Sequence, residues 1–469
     1  MRVLFLGVDI GTASTKGVLV DQAGTIVARA RHEHATASPR PGWFEHDPIG
    51  IWWDEFLVVV RELVNAAEGS ISGLAVSGIG PCLLPADEAG RPLRPAILYG
   101  IDTRATAEIS ELVAEIGEDV IVQESGSPLT SQAIGPKLLW LRRHEPRVWE
   151  RTRRFFMASS YLIYRLTGKY VLDHHSASQC DPLYDIRAEC WHAKRCEQIA
   201  PGLLLPRLAW ADEVAGTVSA SAAGLTGLPA GMTVTAGKID AWAEAESVGV
   251  SRTGDVMVMY GSTMFLVDVL DELRPSPRYW TTSGLHEGAR TAADGMSTAG
   301  ALTAWLADLI GDDFGSLVDR AARVPAGCDG LLTLPYFAGE RAGPRNVRGP
   351  DTPAHGRSPV PKCARSRRLR RSPQSRGNDS GRGAGDKACR SRWRHGEPTL
   401  AADRLRHHAV RPGPSAAYGR CRAGRRGSRS CWHGLAGRWR AGRRSRRRRR
   451  RGRTRYLPGP AVRCRPASG

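Results

Sequence analysis

Three scarcities narrow what this chain can be. No run of about 18 apolar residues occurs, so no membrane-spanning helix is expected. The apolar opening stretch is broken at Asp9 and no small-residue cleavage site follows, which predicts the absence of a secretory leader. The 10 Cys include no CxxC pair and no other metal-like spacing, so reduced thiols in a cytoplasmic protein are expected.

A fourth scarcity is local. Residues 359–469 contain no Met, Phe or Ile, and only 4 Asp and Glu against 34 Lys and Arg, a net charge of +30. Residues 1–358 carry 33 basic and 43 acidic residues, a net −10, so the overall +20 joins two unlike pieces. The front piece has the composition of an acidic globular protein and room for two cores. The basic piece lacks the apolar side chains that offset ordering entropy, and it is expected to be a disordered tail.

Within the front piece the patterning is that of an α/β protein. Residues 3–9, 17–20 and 25–30 read as a strand meander with a glycine–hydroxyl turn after the first strand. Residues 51–67 have helical apolar spacing, 71–77 read as a strand, and 137–143 and 159–166 as helices. Residues 233–235 form a further strand ending in the glycine turn Gly237-Lys238-Ile239-Asp240, and 241–246 are helical. Strands at 255–260 and 264–269 flank Gly261-Ser262-Thr263, echoing the first meander and implying an internal duplication.

A glycine–hydroxyl turn between strands offers backbone N–H groups and hydroxyls to an anion such as phosphate. Asp9 beside it suits a hydrated Mg²⁺, although Asp9-Ile10-Gly11-Thr12 also reads as a tight hairpin with an Asx-type turn. Asp240 suits a base facing a cleft, or equally an N-cap carboxylate. Asp102 and Arg104 form a polar pair that also reads as a surface ion pair. Tyr99, Trp43, Trp52 and Trp53 read first as packing residues.

In order, these segments resemble the FGGY carbohydrate kinases of the actin-like ATPase superfamily. Val8-Asp9-Ile10-Gly11-Thr12-Ala13-Ser14-Thr15-Lys16 resembles the first phosphate motif, and Gly42-Trp43-Phe44-Glu45-His46-Asp47-Pro48 the family's GWxExdP. Leu166-Thr167-Gly168-Lys169-Tyr170 with Asp173 is similar to LTGeyxxD, and Gly237–Ala241 to the catalytic GxxDA. Gly261-Ser262-Thr263 resembles the second phosphate turn, and Leu334–Arg341 the LPYfxGER segment.

The resemblance implies duplicated ribonuclease H-like domains: 1–245 for substrate and catalysis, and 246–345 as an incomplete ATP-binding domain ahead of the 346–469 tail. It implies ATP and Mg²⁺ as cofactors, with phosphoryl transfer to a sugar hydroxyl, most simply that of the pentulose D-xylulose. Asp240 is then the general base, and Asp9 helps to place Mg²⁺. Gly11, Thr12, Thr15, Lys16, Gly261, Ser262 and Thr263 contact the nucleotide, while Ser77, Tyr99, Asp102 and Arg104 bind the sugar. A homodimer is compatible with this reading. Two positions depart from it. Ile79-Gly80-Pro81 stands where xylulokinases carry Met-His, and Lys238 places a cation two residues from the base, where it would lower that carboxyl's pKa.

Beyond Arg341 the family continues with a helix LYRAxLEgxAfgxRxNxExM and the adenosine motif GGGxxSxxWxQ; neither is present. Read one base along, codons for Pro359-Val-Pro-Lys-Cys-Ala-Arg365 permit Leu-Tyr-Gln-Ser-Ala-Leu-Glu. The same shift on the codons of residues 392–404 permits Gly-Gly-Gly-Thr-Gly-Ser-Arg-Leu-Trp-Leu-Gln-Ile-Val. The tail thus reads as an out-of-frame ATP-binding domain, and the chain as written is expected to be inactive. The competing expectation is a sugar-binding regulator with a basic nucleic-acid-binding tail; outside that reading no specific nucleic-acid partner is expected, only non-specific contact of the Arg-rich tail with phosphates.

Overall fold

The computed structural model describes residues 2–296, 299–330 and, as backbone, 420–422. Alternation of apolar residues builds the first strand, β1 (Val3–Ile10), which buries Leu4, Leu6, Val8 and Ile10. It pairs antiparallel with β2 (Ser14–Asp21), and β2 with β3 (Ile26–Glu33). On the other side of β1 lies the parallel strand Ser70–Gly78. Thr233–Thr235 and Lys238–Ile239 both pair with that strand in parallel, and Val214–Thr217 closes the edge of the 7-stranded sheet.

The helix α1 (Glu55–Asn65) lays Phe56, Val59, Val60 and Leu63 against this sheet, the spacing of one helical face. It continues a π-helical stretch, Pro48–Asp54, which begins three residues before the helix that apolar spacing predicts from residue 51. The Asp47 carboxylate caps that stretch by accepting from Ile49 N–H at 2.9 Å.

A second sheet runs Trp280–Ser283, Arg290–Met296, Met264–Leu270, Asp255–Tyr260, Arg420–Arg422, all antiparallel. The meander with a glycine turn therefore recurs, as expected of a duplicated α/β fold. Of the basic tail, the described part is Arg420–Arg422, whose backbone pairs with Asp255, Val256 and Met257. The rest of the expected disorder, and the LPYfxGER segment, lie outside the described residues. Among the described residues no helix is long and apolar enough to cross a membrane.

Two local expectations are corrected. Thr15 and Lys16 sit in β2, because the strand starts at Ser14 and the turn is only residues 11–13. Lys238 and Ile239 form a short strand opposite Ser77 and Gly78, so the backbone turn is made at Gly237, whose φ of 76° favours glycine.

Candidate active site

The strand ends converge on one cleft. Register puts Lys16, Asp9, Ser77 and Lys238 side by side across four neighbouring strands. Asp9 Oδ1 accepts from the Ser77 hydroxyl at 2.8 Å, and Lys16 Nζ stands 3.9 Å from Oδ2. Asp9 is thus tied across the sheet through both carboxylate oxygens. The Ser77 hydroxyl holds Asp9, and Ser77 is not among the residues lining the cavity described below.

Asp240 opens the helix Asp240–Ser247, with Ile239 as its N-cap, so the N-cap alternative does not hold. Its Oδ1 accepts from Ala241 N–H at 2.8 Å. Burial, then the nearby Asp9 carboxylate and Glu244, push the Asp240 carboxyl up to about 8, against Ala241 N–H and Lys16. Asp9 is also raised by burial, opposed by Lys16 and the Ser77 hydroxyl. Lys238 pairs with Glu246 instead of Asp240, because the strand geometry turns its side chain toward that end of the helix. The expected lowering of the base by Lys238 is therefore corrected.

A cavity of about 230 Å³ lies at Asp240. The first sheet's domain supplies Ile79, Gly80, Tyr99, Gln132 and Gln179 to its wall, and the second supplies Met259, Thr263, Phe265 and Trp280. Ala241, Trp242 and Glu244 of the helix Asp240–Ser247 complete one side. Tyr99, first read as packing, faces this cavity, and its hydroxyl lies 3.2 Å from Thr12 Oγ1.

Two glutamines here had no motif to announce them. Gln132 Oε1 accepts from Gly100 N–H at 2.8 Å, which leaves its NH₂ for another partner. His175 Nδ1 must donate to the Ser283 carbonyl at 2.9 Å, and burial pushes this histidine down to about 3. Its Nε2 is therefore an acceptor, and the Gln179 amide donates to it at 2.9 Å, leaving Gln179 Oε1 as an acceptor. The wall thus offers a donor amide and an acceptor amide, where the strand end at Ile79-Gly80-Pro81 offers no polar side chain.

Three expected contacts are displaced. Thr15 is fully buried and donates to Glu55 Oε2 at 2.7 Å, on the face of β2 opposite Lys16. Asp102 accepts from Arg104 through both oxygens and from Phe44 N–H at 2.7 Å. Arg104 also reaches Glu45 Oε1 at 2.9 Å and lies over the Trp43 ring at 4.2 Å. Both side chains are fully shielded from solvent, so the pair braces the GWxExdP segment and neither residue lines the cavity. It is no surface ion pair either.

The second turn lies across the cleft. Gly261 N–H closes it on Thr263 O at 2.9 Å, Thr263 lines the cavity and Ser262 is exposed. Behind it starts the helix Gly300–Ile310, with Gly300 N–H donating to Gly261 O at 2.8 Å. A Cβ at position 300 would lie 2.4 Å from that oxygen, so only glycine fits there.

Asp9 and Asp240 give a cleft with two carboxylates, and among the described residues no larger His, Cys, Asp or Glu cluster suited to a metal occurs. That donor set fits Mg²⁺, which keeps several waters and binds through one or two carboxylates together with substrate phosphates.

Residues 4–245 match the model of the FGGY family of carbohydrate kinases, N-terminal domain. The xylulose kinase of Staphylococcus xylosus is 26% identical over 358 residues, covering 73% of this chain and 72% of that protein. The glycerol kinase of Nocardia farcinica is 28% identical over 362 residues, covering 72% and 69%. The crystal structure of xylulose kinase from Rhodospirillum rubrum superposes with a TM-score of 0.68 at 34% identity, covering 72% of this chain and 70% of that one. With half the chain matched by the family model and the actin-like fold shared with these structures, this chain is a member of the FGGY carbohydrate kinases, phosphotransferases with an alcohol acceptor.

Proposed function

We propose that the folded front of this chain is built to phosphorylate a sugar hydroxyl with ATP, D-xylulose to D-xylulose 5-phosphate being the best match. The observation that carries the reading is Asp240, held at a helix start in a sugar-sized cavity with its pKa raised into the range where a general base works. In that reading Asp240 takes the proton of the attacking hydroxyl. Tyr99, Gln132 and Gln179 orient the sugar, and Trp242 and Trp280 give it apolar walls. The turns at 11–13 and 261–263 hold the phosphates, while Lys16 adds positive charge beside Asp9. Asp9 would help to hold Mg²⁺, which would supply the charge that balances the phosphate oxygens against the carboxylates of the cleft. Phosphoryl transfer is mostly positioning and charge stabilisation, so this constellation covers the chemical half of the task.

The adenosine half is missing from the sequence as written. We take residues 246–345 as the start of the ATP-binding domain and the following basic segment as its out-of-frame remainder. In support, the relatives named above cover 72 or 73% of this chain, leaving a share about the size of that segment. The test is a coupled assay of ATP-dependent phosphorylation of D-xylulose. The 469-residue chain is expected to be inactive, and a chain with its frame restored near codon 359 active. Turnover by the 469-residue chain defeats the out-of-frame reading, and no turnover by the restored chain on any pentulose defeats the substrate reading.

A further inference from the structure

The turn at residues 11–13 is fastened from behind by side chains to which no role has been given. Gly11 O meets His34 Nε2 at 3.1 Å, and Ala13 O accepts from His34 N–H at 3.0 Å. Thr12 O accepts from the Thr36 hydroxyl at 2.9 Å. All three carbonyls of the turn are therefore drawn to one side.

Each fastening is itself fixed. Trp52 Nε1–H donates to His46 Nδ1 at 3.2 Å, so the buried His46 carries its proton on Nε2. That nitrogen donates to Thr36 Oγ1 at 3.0 Å, which leaves the Thr36 hydrogen for Thr12 O. The His34 ring is held at its other nitrogen by Glu55 Oε2 at 2.7 Å, the same oxygen that accepts from Thr15. Side chains of His34 and Glu55 are both almost wholly shielded from solvent.

In a planar trans peptide the C=O of one residue and the N–H of the next point in opposite directions. Pulling the Gly11 and Thr12 carbonyls toward His34 and Thr36 therefore turns the Thr12 and Ala13 N–H groups the other way. Thr15, bonded to Glu55, faces the fastening side, so its neighbour Lys16, with Asp9, lies on the opposite face. The freed N–H groups thus point toward the side of the charged cleft. We infer that His34 and Thr36 are positioning residues for polyphosphate binding. They set the peptide planes of the turn, with Glu55, His46 and Trp52 fixing their orientation. This rests on the reading of the turn as a phosphate site.

The test uses the full 469-residue chain and Mg²⁺ tripolyphosphate, a probe that needs no adenine contact, titrated calorimetrically alongside D-xylulose. Loss of one fastening in Thr36→Val or His34→Ala is expected to weaken tripolyphosphate binding about 10-fold, with D-xylulose affinity unchanged. His34→Gln, whose amide can still donate to Gly11 O, is expected to recover most of that loss. Unchanged tripolyphosphate affinity in both Thr36→Val and His34→Ala overturns the inference. Parallel losses for both ligands also overturn it, because they mark a general loosening of the fold. No binding by the unaltered chain defeats the phosphate reading of the turn itself, and this inference with it.

Discussion

The two glycine turns hold equivalent places in two similar meanders, yet they are secured by different means. In the first, side chains from the β3 side, His34 and Thr36, take the turn's carbonyls. In the second, backbone N–H groups at the start of the helix Gly300–Ile310 do so: Gly300 to Gly261 O at 2.8 Å, and Ala299 and Ala301 to Ser262 O at 3.0 and 3.2 Å. Carbonyls of the first turn are held largely by side-chain chemistry, those of the second by helix placement. A duplicated fold can therefore keep a glycine turn, closed by its own backbone in both copies, while exchanging groups that brace it from behind.

The layers around the sheets differ as well. In the first domain α1 buries its apolar face completely at Phe56, Val59, Val60 and Leu63. In the second, the helices Gly300–Ile310 and Phe314–Ala321 leave Trp305, Leu306, Leu309, Ile310, Phe314 and Val318 exposed, Leu309 by 64%. An apolar stripe of that extent is built to be covered. In the out-of-frame reading, its cover is the part of the ATP-binding domain that the basic segment replaces.

The largest expected effect removes this difference. Restoring the frame should raise ATP-dependent phosphorylation of D-xylulose at least about 10⁴-fold above background, and should shift Trp305 emission to the blue as its surroundings dry. Next, Asp240→Asn in the restored chain should cost about 10²- to 10⁴-fold in kcat with sugar binding retained; steady-state kinetics and calorimetry separate the two. Breaking the shielded pair with Arg104→Ala should cost about 3–5 kcal/mol of stability in urea unfolding, because it strands the buried Asp102 without its counter-charge, while Glu45 keeps Arg94. A sugar-binding role for Arg104 predicts instead lost D-xylulose affinity at unchanged stability.

Two smaller effects probe the turns and the base. Gly300→Ala drives a methyl group into Gly261 O and should destabilise the second domain by about 1–3 kcal/mol, while the first turn keeps its tripolyphosphate affinity. For Asp240, the folded pKa of about 8 lies above the unfolded 3.8, so the folded state holds the extra proton between these values. Stability contributed by that proton is complete below the unfolded value and is lost as pH rises through about 8. Asp240→Asn should therefore gain in melting temperature over the unaltered chain from pH 5 to pH 9, and a constant difference across that range contradicts the shift.

Much of this was legible in the sequence because the signals are local. Alternating apolar residues announce β1, the spacing of Phe56, Val59, Val60 and Leu63 announces α1, and Gly261-Ser262-Thr263 announces a turn between strands. Asp9 and Asp240 were found through short motifs at strand ends, and the sheet register unites them. What escaped depends on contacts distant in the chain. Asp102 and Arg104 look like ligands until Glu45 and Trp43, some 60 residues earlier, are seen closing over them. Thr15 looks like a phosphate contact until strand alternation turns it to Glu55. Gln132 and Gln179 matter only because their amides are oriented by Gly100 and His175, which no spacing rule reveals.

The most direct test of the central claim is the nucleotide sequence itself across codons 335–404. The account predicts that, from codon 359, the actual bases read one position along spell the Leu-Tyr-Gln-Ser-Ala-Leu-Glu helix and then the Gly-Gly-Gly-Thr-Gly-Ser-Arg-Leu-Trp-Leu-Gln motif. Codons that break those two strings in that frame would contradict it, and the Arg-rich segment would then stand as a true part of this kinase-family chain.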